Sequence, residues 1–113
     1  YVEEGIYELW LLFVSRDSPY TDLQKEENFK EYKNKWIKSS GVISEIDEGL
    51  FGSIIVGIEN PENPYLRAAS LYFDNSYKSE LLNYGIYDEI NFEGRIEQYN
   101  GLVGIVVKDV ELR

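Results

Sequence analysis

The spacing of apolar and polar positions changes character near Trp36. Upstream, Val2, Ile6, Leu9, Trp10 and Phe13 recur at helical intervals, with Glu3, Glu4 and Glu8 in or near the first turns. This predicts an amphipathic helix over about Glu3–Val14, with Gly5 as its weak point and a strand as the alternative. Arg16–Tyr20 carries Asp-Ser-Pro and breaks the chain. Thr21-Asp22-Leu23-Gln24 then has the form of a capping box, with threonine at the N-cap and glutamine at the third helical position. A second helix is expected to run to about Asn34. It is charged through Lys25, Glu26, Glu27, Lys30, Glu31 and Lys33, so it packs by a narrow stripe of Leu23, Phe29, Tyr32 and Trp36.

Downstream the period shortens. Trp36–Ile46 is rich in β-branched residues, with Gly41 in mid-run as a bulge or sharp bend. Asp47-Glu48-Gly49, followed by Gly52, is a turn, and Ser53–Glu59 reads as a buried strand. Asn60–Pro64 is a loop, because its prolines cannot continue a sheet, and Leu66–Phe73 returns to strand. Asp74-Asn75-Ser76 caps a short helix over Tyr77–Asn83, closed by Gly85, with Leu81 and Leu82 expected to be buried. Finally Ile90, Phe92, Gly94 and Ile96 alternate with Glu89, Asn91, Glu93, Arg95 and Glu97, which gives one apolar face. Asn100-Gly101 is a dipeptide suited to a type I′ turn, so Asp88–Arg113 reads as a two-residue hairpin.

Two helices, three strands, a short helix and two strands is the plan of the oligonucleotide/oligosaccharide-binding (OB) fold, a five-stranded Greek-key β-barrel. The long first strand suits it, because one strand of a small barrel must bend to join both halves. The expected organisation is an N-terminal helical extension over residues 1–34, packed on an OB-fold barrel over residues 35–113. With 113 residues, 43% hydrophobic and 15% aromatic, one domain can build a core without staples.

Composition narrows the chemistry. The absence of cysteine excludes disulfides, cysteine-ligated zinc and thiol nucleophiles, and leaves the compartment open. The absence of histidine removes the commonest general base and metal ligand. No nucleophile elbow, phosphate-binding loop or dinucleotide fingerprint occurs, so a non-enzymatic binding module with no cofactor is expected. Glu45, Asp47 and Glu48, and Glu59, Asn60, Glu62 and Asn63, are oxygen-rich but lack the spacing of a calcium loop, and read as solvated turns. The net charge of -10 repels phosphate on average, although a local basic strip can exist on an acidic protein. No apolar run is long enough to span a membrane. Ile6–Val14 is short, carries Glu8 and lacks a basic flank, so it does not read as a signal peptide. A chain that opens at Tyr1 and contains no methionine is expected to be processed, or cut from something longer.

The wording of two segments adds a resemblance. NFKEYKNKWIKSSGVISEID, through Tyr32, Lys35, Gly41, Val42 and Ile46, resembles the opening of OB domains of the tRNA-anticodon-binding-like group. Leu82, Gly85, Asp88, Ile90, Phe92, Gly94 and Ile96, followed by Val107, Val110 and Leu112, resemble that group's fourth and fifth strands. The resemblance covers about Tyr32–Arg113 and implies a nucleic-acid-binding ancestry. OB domains usually bind on the second and third strands, flanked by loops that here are Asp47–Gly52 and Tyr99–Gly101. On that pattern Phe51 and Tyr99 would stack bases, Tyr72 or Phe73 would add a platform, and Lys38, Arg67 and Arg95 would meet phosphates. The structural alternative is that Phe51 closes the barrel end and Tyr99 packs on the hairpin.

Two functions follow. The first is a module for single-stranded nucleic acid. The alternative is an acidic protein-interaction or assembly domain, using the fourth-strand acids Asp88, Glu89, Glu93 and Glu97 and the apolar helix around Ile6, Leu9, Trp10, Leu11, Leu12 and Phe13. The ten tyrosines suit a binding surface, an oligosaccharide or small-ligand site among them, or reflect AT-rich codon usage.

Overall fold

A computed structural model describes residues 1–113. The strands are β1 (Trp36–Glu48), β2 (Ile54–Glu59), β3 (Arg67–Phe73), β4 (Glu89–Asn100) and β5 (Gly104–Leu112); burial alternates along β4, whereas β2, β3 and β5 hold runs of consecutive buried residues. They close into a barrel in the order β1-β2-β3-β5-β4. Every neighbouring pair is antiparallel except β3 and β5, which run parallel. This is the OB-fold Greek-key barrel with added helices that the element order predicts.

Closure depends on β1 serving two partners. Trp36–Val42 pairs with β4, and Ile43–Glu48 pairs with β2. At the switch a Cβ on Gly41 would stand 2.8 Å from Ile58 Cγ2, so only glycine lets the bend sit against the β2 side chain. The register slips between Ile43 and Glu45, a bulge that completes the turn from one neighbour to the other. The strand then continues through Asp47 and Glu48, expected as turn residues, and the reversal falls instead on a 3-10 turn at Leu50–Gly52.

The helix α1 spans Ile6–Phe13, because Gly5 is its N-cap rather than an interior weak point. Ser39 Oγ accepts from the Ile6 amide at 2.9 Å, and Glu8 Oε1 accepts from the Gly5 amide at 3.1 Å, which satisfies amides that a helix start leaves bare. Ile6, Leu9, Trp10 and Phe13 join the inward strand residues in one apolar core. The helix α2 (Asp22–Phe29) carries the expected capping box: Thr21 Oγ1 accepts from Gln24 and Gln24 Oε1 accepts from the Thr21 amide. It ends well before Asn34. Lys30–Asn34 turns the chain so that Phe29 and Tyr32 both reach Phe13, at ring distances of 5.1 and 5.5 Å. Asn34, at φ +68°, then hands its amide to the Ile96 carbonyl.

Between β3 and β4 the side chain of Asp74 caps a 3-10 turn at Asn75–Tyr77, which leads into a single turn of helix, α3 (Lys78–Leu81). One turn presents only one leucine inward. Leu81 is buried, whereas Leu82, also expected to be buried, is 75% exposed. The β4–β5 connection also differs from expectation. Gly101–Val103 lies between the paired residues Asn100 and Gly104, so the loop is longer than a type I′ turn. Asn100 Oδ1 accepts from the amides of Leu102 and Val103. The positive φ falls on Gly104, at +74°, and a Cβ there would lie 2.2 Å from the Ala68 carbonyl oxygen. No helix is long and apolar enough to cross a membrane.

Two predictions follow from these contacts. Gly104→Ala should lower stability by roughly 3 kcal/mol or more, through a strained φ and a backbone clash. Gly101→Ala, with no atom within 4 Å of its Cβ, should stay within about 0.5 kcal/mol of the parent. Urea midpoints of the two variants check this, and a two-residue I′ turn requires a marked loss at Gly101 instead. The second prediction concerns alkaline pH. Burial raises the phenols of Tyr32 and Tyr99 above their ordinary value, and for Tyr32 donation to Glu4 adds to it. A raised folded value means that the unfolded chain loses its protons first. This stabilisation is therefore complete below about pH 10 and drains as the pH rises beyond it. Tyr32→Phe should make the fall in stability above pH 10 shallower, as read by urea unfolding at stepped pH.

Candidate functional site

The outer face of β1, β2 and β3 divides into a sealed half and an open half. Arg67 seals the first. Its Nε donates to Glu45 Oε1 at 2.6 Å, Nη2 to Asp47 Oδ2 at 3.0 Å and Nη1 to Ser70 Oγ at 3.2 Å. Ser70 Oγ in turn donates to the Val103 carbonyl at 2.8 Å. The side chain of Arg67 passes close to Gly57, where a Cβ would be 2.8 Å from Nε. Arg67, expected at a phosphate, is thus bonded to two carboxylates and only 17% exposed.

The other expected cations lie elsewhere. Arg95, on β4, reaches Asp109 Oδ2 at 3.1 Å and Asn34 Oδ1 at 3.2 Å, with Glu97 at 3.8 Å. Lys38, in the part of β1 paired with β4, sits 4.5 Å from the Tyr1 ring centroid, and Tyr1 donates its hydroxyl to Glu93. That bond, ahead of the nearby Arg113, holds the Glu93 carboxyl below its usual range. Lys38, Arg67 and Arg95 therefore form no common strip. Tyr99, expected on a loop, belongs to β4 and packs 4.8 Å from Phe29 and 5.5 Å from Phe13. Phe73, considered as a platform, points into the core and stacks edge-on against Tyr77 at 5.4 Å.

The fold does bring Phe51 and Tyr72 together. Both line a groove of about 890 Å³ at the end of the barrel where β1 turns into β2. The 3-10 turn forms one wall and holds Leu50 and Phe51 out in solvent, with Phe51 at φ +61° and fully exposed. Ile55 and Tyr72 form the floor, and Lys108–Glu111 of β5, with Tyr77, the far side. Lys108 Nζ stands 3.6 Å from the Tyr72 ring centroid, well within cation–π range.

Among the charged residues of the lining carboxylates dominate: Glu48, Asp74, Asp109 and Glu111 face a single lysine. Lys78 Nζ bonds Glu48 at 2.6 Å and pulls its pKa down, and the Ser76 side chain and amide do the same to Asp74. Asp109 is paired with Arg95. It also stands at φ +52° beside a break in the β3–β5 register. Lys108, Asp109, Glu111 and Leu50 escaped the sequence reading. Gly104–Val107 are buried without alternation, so no local pattern marks the face of Lys108, and only the parallel β3–β5 pairing sets it beside Tyr72.

The two oxygen-rich segments serve the fold. Glu45 and Asp47 hold Arg67, Asn60 Oδ1 accepts from the amides of Glu62 and Asn63, and Glu62 accepts from Ser15. No group of three or more acidic side chains converges in a way that could hold a metal ion.

No protein-family model matches the chain, and no curated protein matches it. Solved structures do. A candidate nucleic acid-binding lipoprotein from Klebsiella pneumoniae subsp. pneumoniae MGH 78578 aligns with a TM-score of 0.59 and 19% identity, over 77% of this chain and 76% of that one. The OBody AM2EP06, bound to hen egg-white lysozyme, aligns at 0.53 with 13% identity, over 73% and 82%. The OBody AM3L15, also bound to hen egg-white lysozyme, aligns at 0.52 with 11% identity, over 73% and 79%. At these identities the likeness is one of fold, and with the strand order it makes this chain similar to OB-fold proteins.

Proposed function

We propose that this barrel is a non-enzymatic binding module whose ligand is a basic protein segment with an apolar anchor, taken in the groove between Leu50–Phe51 and β5. One observation carries the reading: a turn that lifts Leu50 and Phe51 into solvent stands over a groove in which four carboxylates face one lysine. Exposed aromatic anchors beside complementary charge are what a protein partner uses for affinity and orientation. Binding without catalysis is supported by the directions of the Glu48 and Asp74 shifts, both downward. An acid–base pair needs one carboxyl pushed up. The lysozyme-bound OBodies offer a parallel for a protein ligand on a barrel of this kind.

Single-stranded nucleic acid is the second reading. Phe51, Tyr72 and Lys108 together supply stacking surfaces and a cation, and the Klebsiella protein is described as a candidate nucleic-acid binder. The resemblance to the tRNA-anticodon-binding-like group belongs with this reading, although Gly41, Ile90, Phe92, Gly94 and Ile96 are all buried and build the barrel. Electrostatics place it second. Arg67 and Arg95 are tied to carboxylates and Lys38 lies on a different face, so no track of cations follows a phosphate backbone.

Fluorescence anisotropy with a labelled arginine- and lysine-rich peptide containing one tryptophan, run beside labelled oligo(dT), tests the order of the two. The peptide should bind, weaken with added salt, and weaken by about tenfold or more in Phe51→Ala. Oligo(dT) should stay free at low salt. Binding of oligo(dT) that Phe51→Ala abolishes, with no binding of the peptide, reverses the order.

A further inference from the structure

The groove contains a cation of its own, Lys108. Seven of the basic side chains form ion pairs: Arg16, Lys25, Lys30, Arg67, Lys78, Arg95 and Arg113. Lys108 does not, although Asp74, Asp109 and Glu111 line the same groove. Its ammonium rests instead on the face of Tyr72, 3.6 Å from the ring centroid. That face is thus a working cation site, with apolar walls at Ile55 and Phe51 and carboxylates around it.

We infer that the Tyr72 face is the subsite for an ammonium or guanidinium group of the partner, and that Lys108 is its intramolecular occupant, displaced when the partner binds. This rests on the protein-binding reading above. Two cations on one ring repel each other, so the partner's group and Lys108 compete. Displacement is easy on the side of the chain: Lys108 has a long flexible stem, half in solvent, and only its side chain has to move. The backbone beside it stays fixed, because Asp109 is held by Arg95. Two carboxylates are available to the incoming charge. Glu48 and Asp109 already have cationic partners, whereas Asp74 and Glu111 have none. The site is therefore self-masked. It discriminates against weak cations, which cannot evict Lys108, and accepts a segment whose apolar anchor engages Leu50 and Phe51 at the same time.

The test compares the parent, Lys108→Met and Tyr72→Leu with two probes. Lys108→Met keeps the length and apolar stem and removes the charge. The first probe is the labelled basic peptide. It should bind Lys108→Met about tenfold more tightly than the parent, and Tyr72→Leu about tenfold more weakly. The second is tetramethylammonium chloride, followed by NMR shifts of the Tyr72 ring protons against sodium chloride at equal ionic strength. It should shift Tyr72 at lower concentration in Lys108→Met than in the parent. If the peptide binds the parent but binds Lys108→Met no better, and tetramethylammonium leaves Tyr72 unmoved in both, the cation subsite is wrong and the protein-binding reading stands. If the peptide binds no form while tetramethylammonium still favours Lys108→Met, the subsite stands and that reading falls. If oligo(dT) binds the parent and Lys108→Met loses it, Lys108 is a phosphate contact and the inference is overturned.

Discussion

A single strand that must pair on both sides of the barrel sets the terms for everything else. β1 gives its first half to β4 and its second half to β2, and the handover occupies Gly41 to Glu45. A side chain at Gly41 would collide with Ile58, so the bend and the packing of β2 are one decision. The handover also fixes α1. The Val42 amide donates to the Tyr7 hydroxyl at 3.1 Å, and Ser39 accepts from the first amide of the helix. Polar groups at a strand switch would otherwise be left without partners, and each such group would cost about 1–3 kcal/mol. The helix is therefore part of the closure. Its Phe13 then gathers Phe29, Tyr32 and Tyr99 over the end of the barrel where β4 finishes.

Charge is arranged around the same closure. The chain carries 21 acidic and 11 basic residues, and its arginines join segments distant in sequence: Arg67 to Glu45 and Asp47, Arg95 to Asp109, Arg113 to Glu93. An arginine committed to two acceptors is a poor ligand for a passing phosphate, because the new contact must first break a charge-assisted bond. The surplus of acid is thus left to the surface. A surface with that surplus repels phosphate on average and attracts basic groups.

What could be read in advance was local. The capping box at Thr21 and Gln24 was legible because donor and acceptor lie three residues apart. Strand alternation in Ile90–Ile96 was legible because it has one period and one face. The type I′ turn at Asn100-Gly101 failed through a side chain: Asn100 bonds the two amides of a wider loop itself, and the left-handed residue becomes Gly104. Tyr99 was misplaced because its partners, Phe13 and Phe29, lie far upstream on helices. The sequence shows Arg67 as a free cation, since nothing local announces Glu45 and Asp47. Of the groove's lining, Phe51 and Tyr72 stood out in the sequence and Lys108 did not, because its place beside Tyr72 depends on the parallel pairing of β3 with β5. That pairing is long-range and leaves no mark in either strand alone.

The groove is built to hold still. Its walls come from different segments, the Leu50–Gly52 turn on one side and Lys108–Glu111 of β5 with Tyr77 on the other, and two contacts fasten the connector that carries Tyr77. Lys78 on α3 bonds Glu48 at the end of β1, and Tyr77 packs edge-on against the buried ring of Phe73. The ion pair is exposed, and such pairs contribute only about 0–1 kcal/mol, so it fixes geometry more than stability. The aromatic contact ties the connector to the core itself. Phe51 completes the design from the other side. A non-glycine residue at φ +61° is an uncommon conformation, and here it aims an aromatic ring away from the core. A strained, exposed aromatic residue on a turn whose neighbours are anchored loses little further freedom on binding, and that saving is what turns a modest contact area into affinity.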